Sequence, residues 1–327
     1  MRLPQGAAVR KADGVRRDPR QPQRGRARDL LAEGARVLSA AGLPTARRDA
    51  ERLLAGQLGV QRFALYTESP AVSETEAAHY ADALGRRALH VPLQYLLGWE
   101  EFCGLKLRVG PAVLIPRPET ETLVEWALAL TPPGSTVCDL GTGSGCVACA
   151  IAAARPDVRV VAVDASADAL GVAAENVTAL GLGDRVTLLR GDLFAPLRSG
   201  MGAVNLIVAN PPYIPSRVIP TLPAEVRAWE PRGALDGGPD GMAISRRIIA
   251  GAPAVLARGG ALVIEIGEGQ AAGLAAAMRV AGFRDVSTRR DLNGVERYIA
   301  GCLDSPAGPI RNAAGAPRVA VGPVELD

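Results

Sequence analysis

Apolar residues follow two rhythms along this chain, and the change comes near residue 90. From Asp29 to about Leu89 they recur at three- and four-residue steps (Leu30, Leu31, Val37 and Leu38, then Leu53, Leu54 and Leu58), the stripe of amphipathic helices. Gly42-Leu43-Pro44 breaks the first helix from the second. Ser73, with Glu76 three residues on, has the form of a capping box that opens a further helix through Tyr80 and Leu84. The spacing predicts a small helical bundle over 29–90. Residues 91–110 then turn strand-like, with Gly98 and Gly104 as turns, which predicts a β-hairpin linker.

After Pro111 short apolar runs alternate with helical stretches. Strands are predicted at 136–140, 159–163, 186–190, 204–209 and 261–267, and helices near 119–130, 145–154, 168–180, 244–257 and 270–281. Two more strands, near 284–290 and 297–302, close the domain. The alternation predicts an α/β fold for 111–303: a doubly wound, mostly parallel, seven-stranded sheet whose ligands bind at the carboxyl ends of the strands.

Composition changes this picture only at the edges. Of 327 residues 48% are hydrophobic, enough for a sizeable core, yet charges or prolines interrupt every apolar stretch well short of a membrane span. Residues 1–28 carry nine Arg or Lys against Asp13 and Asp18, which leaves the rest of the chain mildly acidic and argues against a broad nucleic-acid-binding face. That first segment lacks hydrophobic periodicity. Arg16-Arg17 has no apolar segment after it, so a disordered basic arm or a start codon set too early is expected, not a secretion signal. The Ala/Gly/Pro-rich tail over 304–327 is expected to be loose. Cys146 and Cys149 form a C-x-x-C that suits redox or zinc chemistry, or simply small buried positions in a helix's first turns; the reduced-thiol reading fits a cytoplasmic location. Only His79 and His90 are histidines, so a histidine base in the core is not expected.

The candidate chemistry sits at strand ends. Asp139-Leu140-Gly141-Thr142-Gly143-Ser144-Gly145 joins the first parallel strand to its helix, where glycines let a ligand approach the backbone and the helix offers free N–H groups. A dinucleotide loop needs glycine at 146, where this chain has Cys146, so a ligand without pyrophosphate is indicated, with an ammonium near Asp139. Asp164 ends the second strand, placed either to accept two ribose hydroxyls or to cap the next helix. Asp192, followed by Leu193 and Phe194, ends the third, where it can meet an adenine amino group with one of those two side chains against the base. Together the three ends point to one nucleoside-like ligand. After the fourth strand comes Asn210-Pro211-Pro212-Tyr213. An amide oxygen, carbonyls freed by prolines and a flat ring suit a planar –NH2 group; a plain proline-rich turn is the other account.

These features resemble a class I S-adenosylmethionine-dependent methyltransferase, and Asn-Pro-Pro-Tyr resembles the motif of enzymes that methylate planar nitrogens. Residues 114–121 (LIPRPETE) and 230–238 (EPRGALDGG) resemble signatures of the peptide-chain release factor glutamine methyltransferases, the PrmC/HemK family. The likeness covers about residues 28–303. It implies S-adenosyl-L-methionine as cofactor, held by Asp139, Gly141, Thr142, Gly143, Ser144, Gly145, Asp164, Asp192, Leu193, Phe194 and Asn210. It implies a release factor as protein substrate, met by the helical domain and by Pro116, Arg117, Pro118, Glu119, Asn210, Pro211, Pro212 and Tyr213. Asn210, Pro211 and Tyr213 are the implied catalytic groups, acting on the glutamine of a Gly-Gly-Gln loop. Pro118, Glu119 and Glu121 also read as an ordinary helix start. Three other readings remain: a ribosomal-protein glutamine methyltransferase, an adenine-specific DNA methyltransferase, and a nucleoside-binding module without catalysis. The DNA reading wants a target-reading domain and a basic groove, and neither shows in the acidic body.

Overall fold

The computed structural model describes residues 25–197 and 204–303, and the expected basic arm and loose tail lie largely or wholly outside them. The chain divides into two compact units that meet at Leu89 and His90 in sequence.

The first unit is helical. β1 (Gly25–Arg26) pairs antiparallel with β2 (Ala71–Val72), and between and after them run α1 (Ala27–Ala40), α2 (Ala46–Leu58), α3 (Ala64–Thr67) and α4 (Glu74–Ala88). Leu38, Leu54, Leu65 and Tyr80 are its buried anchors. The capping box opens α4 as the spacing predicts, with Ser73 Oγ accepting from the Glu76 N–H and the Glu76 carboxylate accepting from the Ser73 N–H. One buried ion pair, Arg87 to Asp49 at 2.9 Å, links α4 to α2. The two-residue β1–β2 ladder carries no periodicity and was not expected.

The second unit begins with a correction. Residues 93–97 form a short helix, α5 (Leu93–Leu97), where strand had been expected; Gly98, at φ +79°, ends it. Only then does the hairpin follow, β3 (Trp99–Phe102) and β4 (Leu105–Arg108). Cys103 and Gly104 both have positive φ, as a two-residue turn of the primed kind requires. Phe102 and Leu107 lie in the main core, so the hairpin is built into this unit.

The remaining elements are α6 (Pro118–Leu130), β5 (Thr136–Leu140), α7 (Cys146–Ala154), β6 (Arg159–Asp164), α8 (Ala167–Ala179), β7 (Val186–Arg190), β8 (Val204–Ala209), α9 (Ala224–Trp229), α10 (Ala243–Gly251), β9 (Leu256–Glu265), α11 (Ala271–Val280), β10 (Phe283–Arg290) and β11 (Glu296–Leu303). The seven-stranded sheet has the order β10-β11-β9-β8-β5-β6-β7, with β10 and β11 antiparallel and the other five parallel. Side chains of β8 alternate between two cores. Leu206 and Val208 pack with α6 and α7, and Ile207 and Ala209 pack with α10 and α11. A helix on each face makes the strands apolar throughout, hence the unbroken runs in the sequence.

Helix α10 is shorter than the predicted 244–257. Pro253 has no N–H to give and crowds the carbonyl four residues back, so the helix stops at Gly251 and a 3-10 turn over Ala252–Ala254 follows. The freed residues lengthen β9, which starts at Leu256 instead of 261 and ends at Glu265. The winding order places the functional chemistry. From β5 the chain winds outward through β6 to β7, then returns to lay β8 on the other side of β5. At that switch point the loops after β5 and β8 diverge and leave a crevice.

Candidate active site

A cavity of about 310 Å³ opens at these strand ends. Asp139, Gly141, Thr142, Gly143, Ser144, Asp164, Asp192, Leu193, Asn210, Pro212, Pro116 and Arg117 all line it, so residues nominated from five separate loops do converge. Its wall also includes Thr120, Val163, Ala169 and Ile244.

The first loop folds by alternating backbone signs. Gly141, Gly143 and Gly145 have φ of +74°, +57° and +79°. A Cβ on Gly145 would also come within 3.2 Å of Ala173, so this glycine sets the packing of the loop against α8 as well. Asp139 is 1% exposed and accepts from Thr142 Oγ1 at 2.6 Å. No salt bridge reaches it among the described residues, and burial, with Asp164 adding like charge, pushes its carboxyl up to about 7. A neighbouring cation would favour the ionised form of a carboxyl held in that state. Asp164 accepts from the Gly143 N–H at 2.9 Å and from the Ser166 N–H at 2.9 Å, so it braces the loop, while Ser166, not Asp164, caps α8. Ser144 Oγ is buried and makes no hydrogen bond among the described residues.

The adenine end departs from expectation. Asp192 lines the cavity but is exposed and holds Arg247 at 2.6 Å. Leu193, at φ +48°, turns into the cavity wall, whereas Phe194 packs against Gly251 in the apolar core and does not line the cavity. Both side chains pack against the same apolar cluster, and only Leu193 also reaches the cavity, which spacing alone does not reveal.

The loop after β8 is held from behind. Asn210 Nδ2 donates to Thr120 Oγ1 at 3.1 Å, and Thr120 Oγ1 donates to Glu265 Oε2 at 2.8 Å. Tyr213 and Pro211 do not line the cavity. Tyr213 instead sends its hydroxyl to Glu265 Oε1 at 3.4 Å and its carbonyl accepts from Gln270 Nε2 at 2.9 Å. Pro118 and Glu119, the first residues of α6, also lie off the lining; the Glu119 carbonyl accepts from Tyr298 Oη. Glu265, 1% exposed at the carboxyl end of β9, is pushed up to about 7 by burial.

The two signature segments meet here. Glu230 forms a charge pair with Arg117 and accepts from the Ile115 N–H, which ties the segment after α9 to the loop before α6. Burial raises the Glu230 carboxyl, and Arg117 opposes that rise. Gly237 and Gly241 lie against the Asn-Pro-Pro-Tyr backbone: a Cβ would fall 2.6 Å from the Pro212 oxygen and 2.2 Å from the Tyr213 oxygen. Thr120, Glu230 and Glu265 were not nominated from sequence. The available signal for Glu265 was one acid at the end of an otherwise apolar strand. Cys146 and Cys149 lie at the start of α7 with free thiols, Cys149 buried and pushed up to about 12 by that burial.

Comparison with known proteins adds the decisive observation. Residues 29–98 match the PrmC N-terminal domain model, and residues 119–220 match the methyltransferase small domain. The chain is 44% identical over 265 residues to the release factor glutamine methyltransferase of Geobacter sulfurreducens, covering 81% of this chain and 92% of that one. It is 43% identical over 280 residues to the enzyme of the same name from Cereibacter sphaeroides, covering 85% and 99%. This chain belongs to the release factor glutamine methyltransferase family. Among solved structures, the hMettl16 catalytic domain in complex with a 3'UTR hairpin aligns over 73% of this chain and 85% of its own, with a TM-score of 0.52 at 15% identity, a likeness of fold alone. Among the described residues no helix is long and apolar enough to cross a membrane.

Proposed function

We propose that this protein transfers a methyl group from S-adenosyl-L-methionine to the side-chain amide nitrogen of the glutamine in the Gly-Gly-Gln loop of peptide-chain release factors. One observation carries the reading. Asn210 stands on the cavity wall with its –NH2 engaged by Thr120, which leaves its oxygen to accept from whatever enters. An acceptor edge of that kind suits a substrate –NH2 group.

The cavity's donor set fits the cofactor. Asp139 would take its ammonium, Asp164 its ribose hydroxyls, Asp192 its adenine amino group, and Leu193 would lie along the base. Gly141, Thr142, Gly143 and Ser144 would line the amino-acid end, while Gly145, off the lining, packs the loop against Ala173. Bound S-adenosylmethionine supplies an electrophilic methyl group on sulfur. The chain's own contribution is positioning. Asn210 Oδ1 would accept one amide hydrogen of the glutamine, so that its nitrogen is aimed; the Pro211 carbonyl expected to take the other belongs to a residue off the cavity lining. Pro212 lines the wall beside Asn210. Tyr213 acts at one remove, through Glu265. No side-chain base is required, because nitrogen becomes acidic once methylated and its proton can pass to water.

The Arg117–Glu230 pair would shape the protein-substrate side together with Pro116, and we assign the helical unit over 29–90 to docking the release factor. A cytoplasmic site of action goes with such a substrate. The test is transfer of labelled methyl to a bacterial release factor, with a substrate whose loop glutamine is replaced by alanine as control. Labelling that survives Gln→Ala would sink the substrate assignment and revive the ribosomal-protein reading. Asn210→Ala should lower turnover by about a hundredfold or more while cofactor affinity stays within about threefold. A large loss of affinity with normal turnover would contradict the role.

A further inference from the structure

Behind Asn210 stands a chain of hydrogen bonds in which each proton has one place to go. Glu265 is a buried carboxylate with no salt bridge among the described residues. When ionised it can only accept. Thr120 is 2% exposed and has a single hydroxyl proton, which it gives to Glu265 at 2.8 Å. Thr120 Oγ1 is then left as an acceptor, and only the –NH2 side of the Asn210 amide can satisfy it, at 3.1 Å. With –NH2 turned to Thr120, Oδ1 occupies the other side of the amide.

We propose that Thr120 and Glu265 are positioning residues, which orient the Asn210 amide so that its oxygen, not its nitrogen, meets the substrate. The proposal rests on the reading of Asn210 as acceptor for a planar –NH2. It gives a role to a buried acid that does not line the cavity. If Glu265 took up a proton, it would donate to Thr120 Oγ1, and the Thr120 hydroxyl would turn its own proton toward Asn210. The amide would then settle with Oδ1 on Thr120 and –NH2 toward the cavity. Two –NH2 groups would face each other, and a glutamine amide could not be held.

The groups around Glu265 bear on this equilibrium from several elements. Tyr213, from the loop after β8, donates to Oε1. Arg297 on β11 favours the charged form, and Glu119 on α6 disfavours it. Arg297 is itself shared with Asp291 at 3.2 Å. Tyr298 on β11 pairs with Glu265 across the strands, and Asn210 reaches it through Thr120. Burial is the largest influence, and it sets the carboxyl at about 7.

The experiment is a pH series of glutamine methylation on a release factor at saturating S-adenosylmethionine, for wild type, Glu265→Gln, Thr120→Val and Thr120→Ser, with cofactor Kd measured by calorimetry. Wild-type kcat should rise with pH through about 7. Glu265→Gln, whose amide can donate to Thr120, should lose about ten- to a hundredfold in kcat and show no rise in that range. Thr120→Val should fall similarly, and Thr120→Ser should recover to within about threefold of wild type. Cofactor Kd at pH 8 should stay within about twofold throughout, a result that a merely damaged fold would not give. If Glu265→Gln fails to bind cofactor, the Thr120 pair decides. Wild-type kcat and pH profile in Glu265→Gln or Thr120→Val would overturn the proposal and leave the methyltransferase reading intact. Absence of transfer by wild type would overturn both.

Discussion

The two units of this protein bury acids in opposite ways. In the helical unit Asp49 is 2% exposed and meets Arg87, itself nearly as buried, at 2.9 Å. In the catalytic unit Asp139 and Glu265 are each 1% exposed, yet hydroxyls are their hydrogen-bonding side chains. A paired charge is finished: both partners are spent on holding two helices together. An unpaired one is held against its own preference, and burial pushes both carboxyls up to about 7. The first arrangement is architecture and the second is stored capacity to bind or orient something else.

The largest expected effect breaks the helical side of the contrast. Arg87→Ala should cost about 3 to 5 kcal/mol of stability, because it strands Asp49 without its cation; thermal or urea unfolding of the intact chain would measure it. A double variant with Asp49→Asn should recover much of the loss. On the catalytic side Asp139→Asn should leave unfolding nearly unchanged and weaken S-adenosylmethionine about ten- to a hundredfold by calorimetry. Unfolding as severe as that of Arg87→Ala would erase the distinction.

A subtler effect follows from the raised acids. The native state keeps their protons up to about pH 7, whereas the unfolded chain releases them near 4. Between those values the unfolded state binds fewer protons, so stability must fall as pH rises. The ligand-free protein should lose stability from pH 5 to 8, and Glu265→Gln should flatten part of that slope. A melting temperature that climbs across the window would contradict the assignment. The smallest effect separates two neighbours: Leu193→Ala should weaken cofactor binding by about tenfold, while Phe194→Leu should change it less than threefold.

Much of the fold could be read from the chain because β5, β6 and β8 are buried on both faces and so write themselves as apolar runs. The glycine loop was legible for a related reason, since alternating positive φ demands glycine at 141, 143 and 145. Short segments were less so. Leu93–Leu97 is apolar in a way that suits strand or helix, and only Gly98 and the packing decide. Pro253 was visible, but its power to cut α10 and lengthen β9 depends on the partner strand. The support of the site was hidden for a different reason. Thr120 and Glu265 are 145 positions apart, and no local pattern joins them. Phe194 and Tyr213 sit in the expected motifs, yet Phe194 packs against Gly251 and the Tyr213 hydroxyl goes to Glu265.

The tight seat of Gly237 and Gly241 has an outcome for anyone mapping this enzyme by mutation. Neither residue lines the cavity, yet an added methyl at Gly241 would press on the Tyr213 carbonyl, and one at Gly237 on that of Pro212. A functional screen would therefore score both among the most intolerant positions, on a par with Asn210. Sensitivity there would mark a mould and not a tool: a place where the reactive loop takes its shape from bare backbone, and where a harmless-looking alanine silences chemistry it never touches.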